Sequence, residues 1–185
     1  GPGSPAWLYV NKHLQQSLRV PIQGWFAQQD QFAMGQGFVR ADNLRGFQIA
    51  SPSIIGMRCI EASFSMIIEA GLPAIAAKAA LGTDMMVRLH DAWLAPLGFE
   101  LITPRDATRR GGHVTLRHPD ARQISVAMRE MVKVIPDFRE PSSIRLAMSP
   151  LATSFQEVWD GFARVRDLVA TGRYREVSLP TTRVT

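Results

Sequence analysis

The sequence predicts an α+β fold: a long helix pair followed by a small C-terminal sheet covered by helices. Three observations carry this. Apolar residues recur at helical spacing through residues 51–95, broken only by a Gly-Leu-Pro step at 71–73. Between residues 99 and 148 the pattern shortens into four strand-like runs, set off by turn residues and by one helical run. Phe155, Val158, Trp159, Phe162, Val165 and Leu168 then mark a final amphipathic helix. Strands gathered on one side with helices packed on the other make a two-layer architecture.

In chain order, residues 1–4 (GPGS) read either as a cleavage scar or as native sequence. Residues 5–10 (PAWLYV) form an apolar, aromatic run that suits a buried strand. A core strand so close to the first residue implies further protein upstream. Asn11 is placed to cap a short helix through Ser17, after which VPIQGWF returns to an irregular aromatic loop. Residues 27–50 carry Gly35, Gly37 and Gly46 and show no clear period; a loop of that length in a compact domain is more often functional than not. Ser51 as N-cap and Pro52 at the first helical position open a helix whose apolar side runs from Ile54 to Ile68 and stops at Gly71. Pro73 opens a second helix through Ala95, with Met85 and Met86 as core filler. Strands are expected at 99–103, 113–117, 134–138 and 144–148, and helices at 121–132 and 155–168. The segment after Gly172 is expected to fray.

Composition narrows the function classes. A chain of 185 residues, 46% hydrophobic and 20% charged, can bury a sizeable core. The single cysteine, Cys59, excludes an internal disulfide framework, fits a reducing compartment, and lies in an apolar run that suggests a buried thiol. No apolar run approaches the roughly 18 residues of a membrane span, and no signal peptide is visible, so a soluble, cytoplasmic protein is expected. The net charge of +5 comes from 18 Arg and three Lys (Lys12, Lys78, Lys133) against 16 acids. The densest basic patch, Arg105, Arg109, Arg110, Arg117 and Arg122, is interrupted by acids and by Gly111-Gly112. It lacks the interleaved aromatics that stack bases, so it reads as a solvated face and not as a nucleic-acid surface. His113 and His118 lie five apart on one strand and point to opposite faces, which cannot serve one metal ion.

The most informative stretch is residues 137–155, DFREPSSIRLAMSPLATSF. Arg145 sits between Ile144 and Leu146 in a strand, so the pleat turns it opposite to both. A guanidinium beside a turn-rich edge needs an anion. Two readings stand: an internal salt bridge, or a two-pronged grip on the carboxylate of a ligand. No P-loop, Gly-x-Ser-x-Gly elbow or Gly-x-Gly-x-x-Gly fingerprint is present, and residue types alone supply no nucleophile or general base.

The segments GPGSPAWLYV, PIQGWF, FQIASPSI, ITPRDATRRGGHVTLRHPDA and VIPDFREPSSIRLAMSPL occur in this order. Together they resemble the C-terminal part of kynureninases over nearly the whole chain. RRG-HVTLRH and DFR-P-IR are the most specific segments. Kynureninases are fold-type-I enzymes of the class V aminotransferase superfamily and use pyridoxal 5'-phosphate (PLP). The resemblance implies the C-terminal part of such an α/β-superfamily enzyme, a homodimer with active sites at the subunit interface. The activity it implies is hydrolysis of L-kynurenine, or its 3-hydroxy form, to anthranilate and L-alanine in tryptophan catabolism, the kynurenine pathway. Residue by residue it implies cofactor binding by Trp25, whose indole N–H would meet the cofactor phosphate, and by Ser51. Arg145 would bind the substrate α-carboxylate.

The same resemblance places no catalytic residue in this chain. The family's Schiff-base lysine lies in a Lys-Tyr-Leu-Asn-Gly segment just before the Gly-Pro-Gly with which this chain begins, and Lys12, Lys78 and Lys133 lie in other contexts. A large-domain chain or segment carrying that lysine is therefore the expected partner, and this chain alone is expected to be inactive. The implied organisation is 1–50 for the end of the cofactor domain and a cofactor-facing loop, 51–98 for linking helices, 99–172 for a small α+β domain, and 173–185 for a tail. The chain departs from the family's pattern at Ala27-Gln28, where Gly-His usually follows GWF, at Ala152, where a tyrosine usually stands, and at Ser51, shorter than the usual Asn. These bear on the substrate. The alternatives are a related PLP lyase or aminotransferase acting on another amino acid, and a non-catalytic module that retains the fold.

Overall fold

The computed structural model of the chain describes residues 5–33 and 35–179; residues 1–4, which the sequence left as scar or native, and the last six lie outside the described residues. The chain divides into two compact units, residues 1–69 and 70–185.

The second unit holds the core. Helix α2 (Leu72–Leu89) runs into a π-helical segment, His90–Leu94, and a 3-10 turn, Ala95–Leu97. Strand β1 (Glu100–Leu101), strand β2 (His113–Arg117), helix α3 (Ala121–Val132), strand β3 (Asp137–Arg139), strand β4 (Ser143–Ala147) and helix α4 (Phe155–Ala170) follow. The four strands form one antiparallel sheet in the order β1-β2-β4-β3. Alternation does the sorting. Val114 and Leu116 of β2 and Ile144 and Leu146 of β4 face the helices and are buried, meeting Met86 and Val87 of α2, Ile124 and Met128 of α3, and Val158, Phe162 and Val165 of α4 in one core. Met86, Met128 and Met148 fill that core as expected of an unbranched, adaptable side chain.

Several boundaries shift for identifiable reasons. Helix α4 opens at Ser154 through a full capping box: Glu157 N–H donates to the Ser154 hydroxyl at 3.1 Å, and Ser154 N–H donates to the Glu157 carboxylate at 2.7 Å. The strand expected at 134–138 begins only after Pro136, which has no N–H to give a ladder. The first strand shrinks to two residues because Thr103 turns its hydroxyl to accept from Thr115 N–H at 2.8 Å instead of continuing the pairing. The segment after Gly172 does not fray through Glu176: it forms a 3-10 turn, Arg173–Glu176, and the buried Tyr174 donates its hydroxyl to Asp120 at 2.7 Å.

The expected basic patch is not one surface. The Arg110 side chain is 1% exposed and is spent inside the second unit. It pairs with Asp84, donates Nε to the Thr83 hydroxyl at 3.1 Å, and reaches the backbone oxygen of Arg105, so it ties α2 to the loop before β2. Arg105 grips Asp91 with two bonds of 2.7 and 2.8 Å. Asp91 also meets Nδ1 of the buried His90, whose Nε2 faces the Phe99 carbonyl at 3.1 Å.

The first unit is built differently. Among its described residues the regular elements are 3-10 turns at Lys12–Leu14, Trp25–Ala27 and Leu44–Phe47 and one helix, α1 (Ile54–Ala70). The run PAWLYV is not a buried strand: among the described residues no strand pairs with it, and Trp7, Leu8 and Tyr9 are 73%, 61% and 78% exposed. Asn11 does cap the next turn, accepting from His13 N–H at 3.1 Å, but that turn is three residues long. The N-cap of α1 is Ser53, not Ser51; Gly56 N–H donates to the Ser53 hydroxyl at 3.2 Å. Cys59 is exposed, not buried. Among the described residues no single helix is long and apolar enough to cross a membrane.

Two predictions concern the second unit. Asp84→Ala strands the buried Arg110 guanidinium, and chemical denaturation is expected to show a loss of about 2–3 kcal/mol, the cost of an unsatisfied buried donor. The Asp91 carboxyl is held down at about 2 by the Arg105 hydrogen bonds, with His90 helping against desolvation. A depressed carboxylate contributes stability above its unfolded value, about 3.9, and loses it as pH falls through the folded one. The stability gap between the native protein and Asp91→Asn should therefore be full at pH 6 and shrink as pH falls from about 4 to about 2.

Candidate active site

The face of the sheet turned away from the helices carries the polar residues of β2, β3 and β4. Register places Thr115, Arg145 and Asp137 in one row across three strands, and Arg117, Ser143 and Arg139 in the next. Directly opposed side chains on one face lie within contact range. Arg145 is thus on an inner strand, flanked on both sides, and not at the sheet edge suggested by the turn residues. Along its own strand its same-face neighbours are Ser143 and Ala147, both small, which leave the guanidinium approachable; its side chain is 37% exposed.

Arg145 Nη2 donates to Asp137 Oδ2. That oxygen also receives Arg139, at 2.9 Å from Nε and 2.7 Å from Nη2. Desolvation pushes the Asp137 carboxyl up, but the hydrogen bonds and charges of Arg139 and Arg145 outweigh it and hold it below the ordinary carboxylate range. Among the described residues no other acceptor meets Arg145, so its remaining N–H groups face outward. Sequence reasoning did not single out Asp137. The signal is the hairpin itself: residues equidistant from Pro141 face one another, which pairs 137 with 145 and 139 with 143.

The two other expected site residues lie in the first unit. Trp25 is exposed and its indole Nε1 donates to the Gln31 carbonyl at 2.9 Å, within its own loop. Ser51 is exposed, two residues ahead of the Ser53 cap. One backbone approach relates them. Gly24, just before Trp25, lies so close to the chain at Ile49 that a Cβ there would stand 2.1 Å from the Ile49 carbonyl oxygen. Only glycine permits the Trp25 turn to sit against the strand of chain leading to Ser51. At the positions that depart from the family pattern, Ala27 is buried, and Gln28 pins the glycine-containing loop by accepting from Val39 N–H at 2.8 Å and donating to the Gly37 carbonyl at 3.4 Å. Ala152 lies in the turn before α4, exposed.

Among the described residues no group of three or more His, Cys, Asp or Glu is arranged to hold a metal ion.

Comparison with known proteins gives a consistent picture. Residues 75–165 match the family model described as the kynureninase C-terminal domain. Over 181 residues the chain is 31% identical to a kynureninase of Burkholderia mallei (strain SAVP1), covering 98% of this chain and 43% of that protein. Over 179 residues it is 37% identical to a kynureninase of Shouchella clausii (strain KSM-K16), covering 95% and 41%. The chain therefore spans about two fifths of the length of these relatives. Among solved structures, the apo structure of a cysteine desulfurase from Thermococcus onnurineus NA1 superposes with a TM-score of 0.69 over 88% of this chain and 42% of that one, at 17% identity. That likeness is one of fold, and it bears out the expected α+β architecture.

Proposed function

We propose, from the match of residues 75–165 to the kynureninase C-terminal domain model, that this chain is the substrate-gripping C-terminal portion of a kynureninase-like, PLP-dependent hydrolase. The reaction assigned to the whole protein is hydrolysis of L-kynurenine or 3-hydroxykynurenine to anthranilate and L-alanine. The observation that carries the proposal is Arg145: a guanidinium on an inner strand, lifted out of the core by the pleat, more than a third exposed, with one donor engaged and the rest turned outward. Such a planar, always-charged fork suits a substrate α-carboxylate.

The residues present suit the phosphate end of PLP. The Gly24 approach brings the Trp25 turn and the chain before Ser51 together, and both side chains are exposed. Trp25 would exchange its Gln31 acceptor for a phosphate oxygen, and the Ser51 hydroxyl would donate beside it. When bound, the cofactor supplies the electron sink for bond cleavage next to the amino-acid α-carbon. This chain's own part is to hold the phosphate and to orient the substrate through its carboxylate.

The lysine that carries the cofactor is assigned to the part of the protein that the relatives have and these 185 residues do not span. The first unit's surface fits a covering layer of that kind. The groove of about 620 Å³ along α1 is lined by Ile54, Met57, Ile60, Phe64 and Ile68, and Ile54, Ile55 and Ile68 are about four-fifths exposed, at 77%, 81% and 78%. An exposed apolar groove of this kind suits such an interface. The completed enzyme is expected to be a dimer.

Two measurements test the proposal. Arg145→Lys in the full-length enzyme should weaken substrate binding by about 1.5–3 kcal/mol, the range for hydrogen bonds to charged groups, with the melting temperature nearly unchanged. An equal KM with a large drop in melting temperature would make Arg145 a structural ion pair. Borohydride reduction of the full-length protein loaded with PLP, followed by peptide mapping, should label a lysine outside these residues. Label on Lys12, Lys78 or Lys133 would overturn the assignment.

A further inference from the structure

We propose that Asp137 is a positioning residue for Arg145: held in place by Arg139, it orients the Arg145 guanidinium so that its unengaged donors meet the carboxylate of the substrate. The inference rests on the carboxylate-gripping reading of Arg145. Three features support it. Asp137 touches only Nη2 of Arg145, so the contact sets the plane of the guanidinium without consuming it. Asp137 is itself anchored, because Arg139, two residues along β3 on the same face, binds the same oxygen through Nε and Nη2. The hairpin register then fixes the pair directly across from each other, with Thr115 closing the row on the far side. A long, flexible side chain on an open sheet face loses rotamer freedom when it binds, and a preset orientation removes part of that cost. The opposite reading is that Asp137 merely competes with the ligand for Arg145. It would require a carboxylate free to leave, whereas Arg139 keeps this one in the row.

The two readings move KM in opposite directions. The experiment is steady-state kinetics with L-kynurenine on the full-length, PLP-loaded enzyme, comparing Asp137→Asn, Arg145→Lys and the double variant, with Ile124→Val as a control for mild loss of core stability. Positioning predicts that Asp137→Asn raises KM about tenfold with a much smaller change in kcat. It also predicts that adding Asp137→Asn to Arg145→Lys raises KM little further, since one acts through the other. The control should leave KM unchanged. A fall in KM for Asp137→Asn would make Asp137 a competitor and overturn the inference. An unchanged KM for Asp137→Asn beside a raised one for Arg145→Lys would also overturn it while leaving the carboxylate grip intact. If Arg145→Lys itself leaves KM unchanged, the underlying reading of Arg145 fails as well.

Discussion

The two-residue alternation of strand β4 is the constraint on which the second unit depends. Because β4 is an inner strand, Ile144 and Leu146 close the core between β2 and the helices, and the pleat leaves Arg145 no choice but the opposite face. Slipping the register by one residue would bury the guanidinium and expose two core side chains, Ile144 and Leu146. The core thus holds the candidate site in place without contributing a residue to it. The same alternation in β2 supplies Thr115 and Arg117 to the outer face while Val114 and Leu116 go inward.

Two arginines of the second unit, Arg110 and Arg145, show how burial separates a structural from a candidate functional role. Arg110 is 1% exposed, and its donors are spent on Asp84, Thr83 and backbone carbonyls, which is how a buried cation avoids its desolvation penalty. Arg145 is 37% exposed and has one partner. An exposed ion pair of that kind stabilises a fold by only about 0–1 kcal/mol. The Arg145–Asp137 contact therefore contributes little as a stability element.

Much of this was legible in the sequence. The helices at 121–132 and near 155–168, the four short strands and the outward turn of Arg145 follow from periodicity, which is a property of the segments themselves. The capping box at Ser154 is local too, and so was readable. What failed depends on partners distant in sequence. PAWLYV has the composition of a buried strand, but a strand needs a neighbour for its ladder, and among the described residues nothing pairs with residues 5–10. Helix α1 has apolar residues at helical spacing yet its only buried residue is Gly56. Cys59 was read as buried for the same reason and lies exposed with the helix that carries it. Asp137 escaped because nothing in its immediate neighbours marks it; only the hairpin register does.

The first unit's misreadings share one physical cause. Its sequence is written for burial: aromatic at Trp7, Tyr9 and Trp25, branched and apolar along α1. Yet the residues it encloses are small, such as Gly24, Ala27, Ala41 and Gly46, with Val10 the largest apolar side chain among them. Helix propensity and an Asn or Ser cap suffice to form a helix or turn locally, whereas a core requires apolar surface on both sides of the contact. Within this unit the aromatic contacts are few and edge-on, as between Trp7 and Phe64 at 6.4 Å and between Trp25 and Phe26 at 5.0 Å. Apolar patterning this consistent with so little of it buried shows that local pattern alone, without an opposing apolar surface, does not make a core.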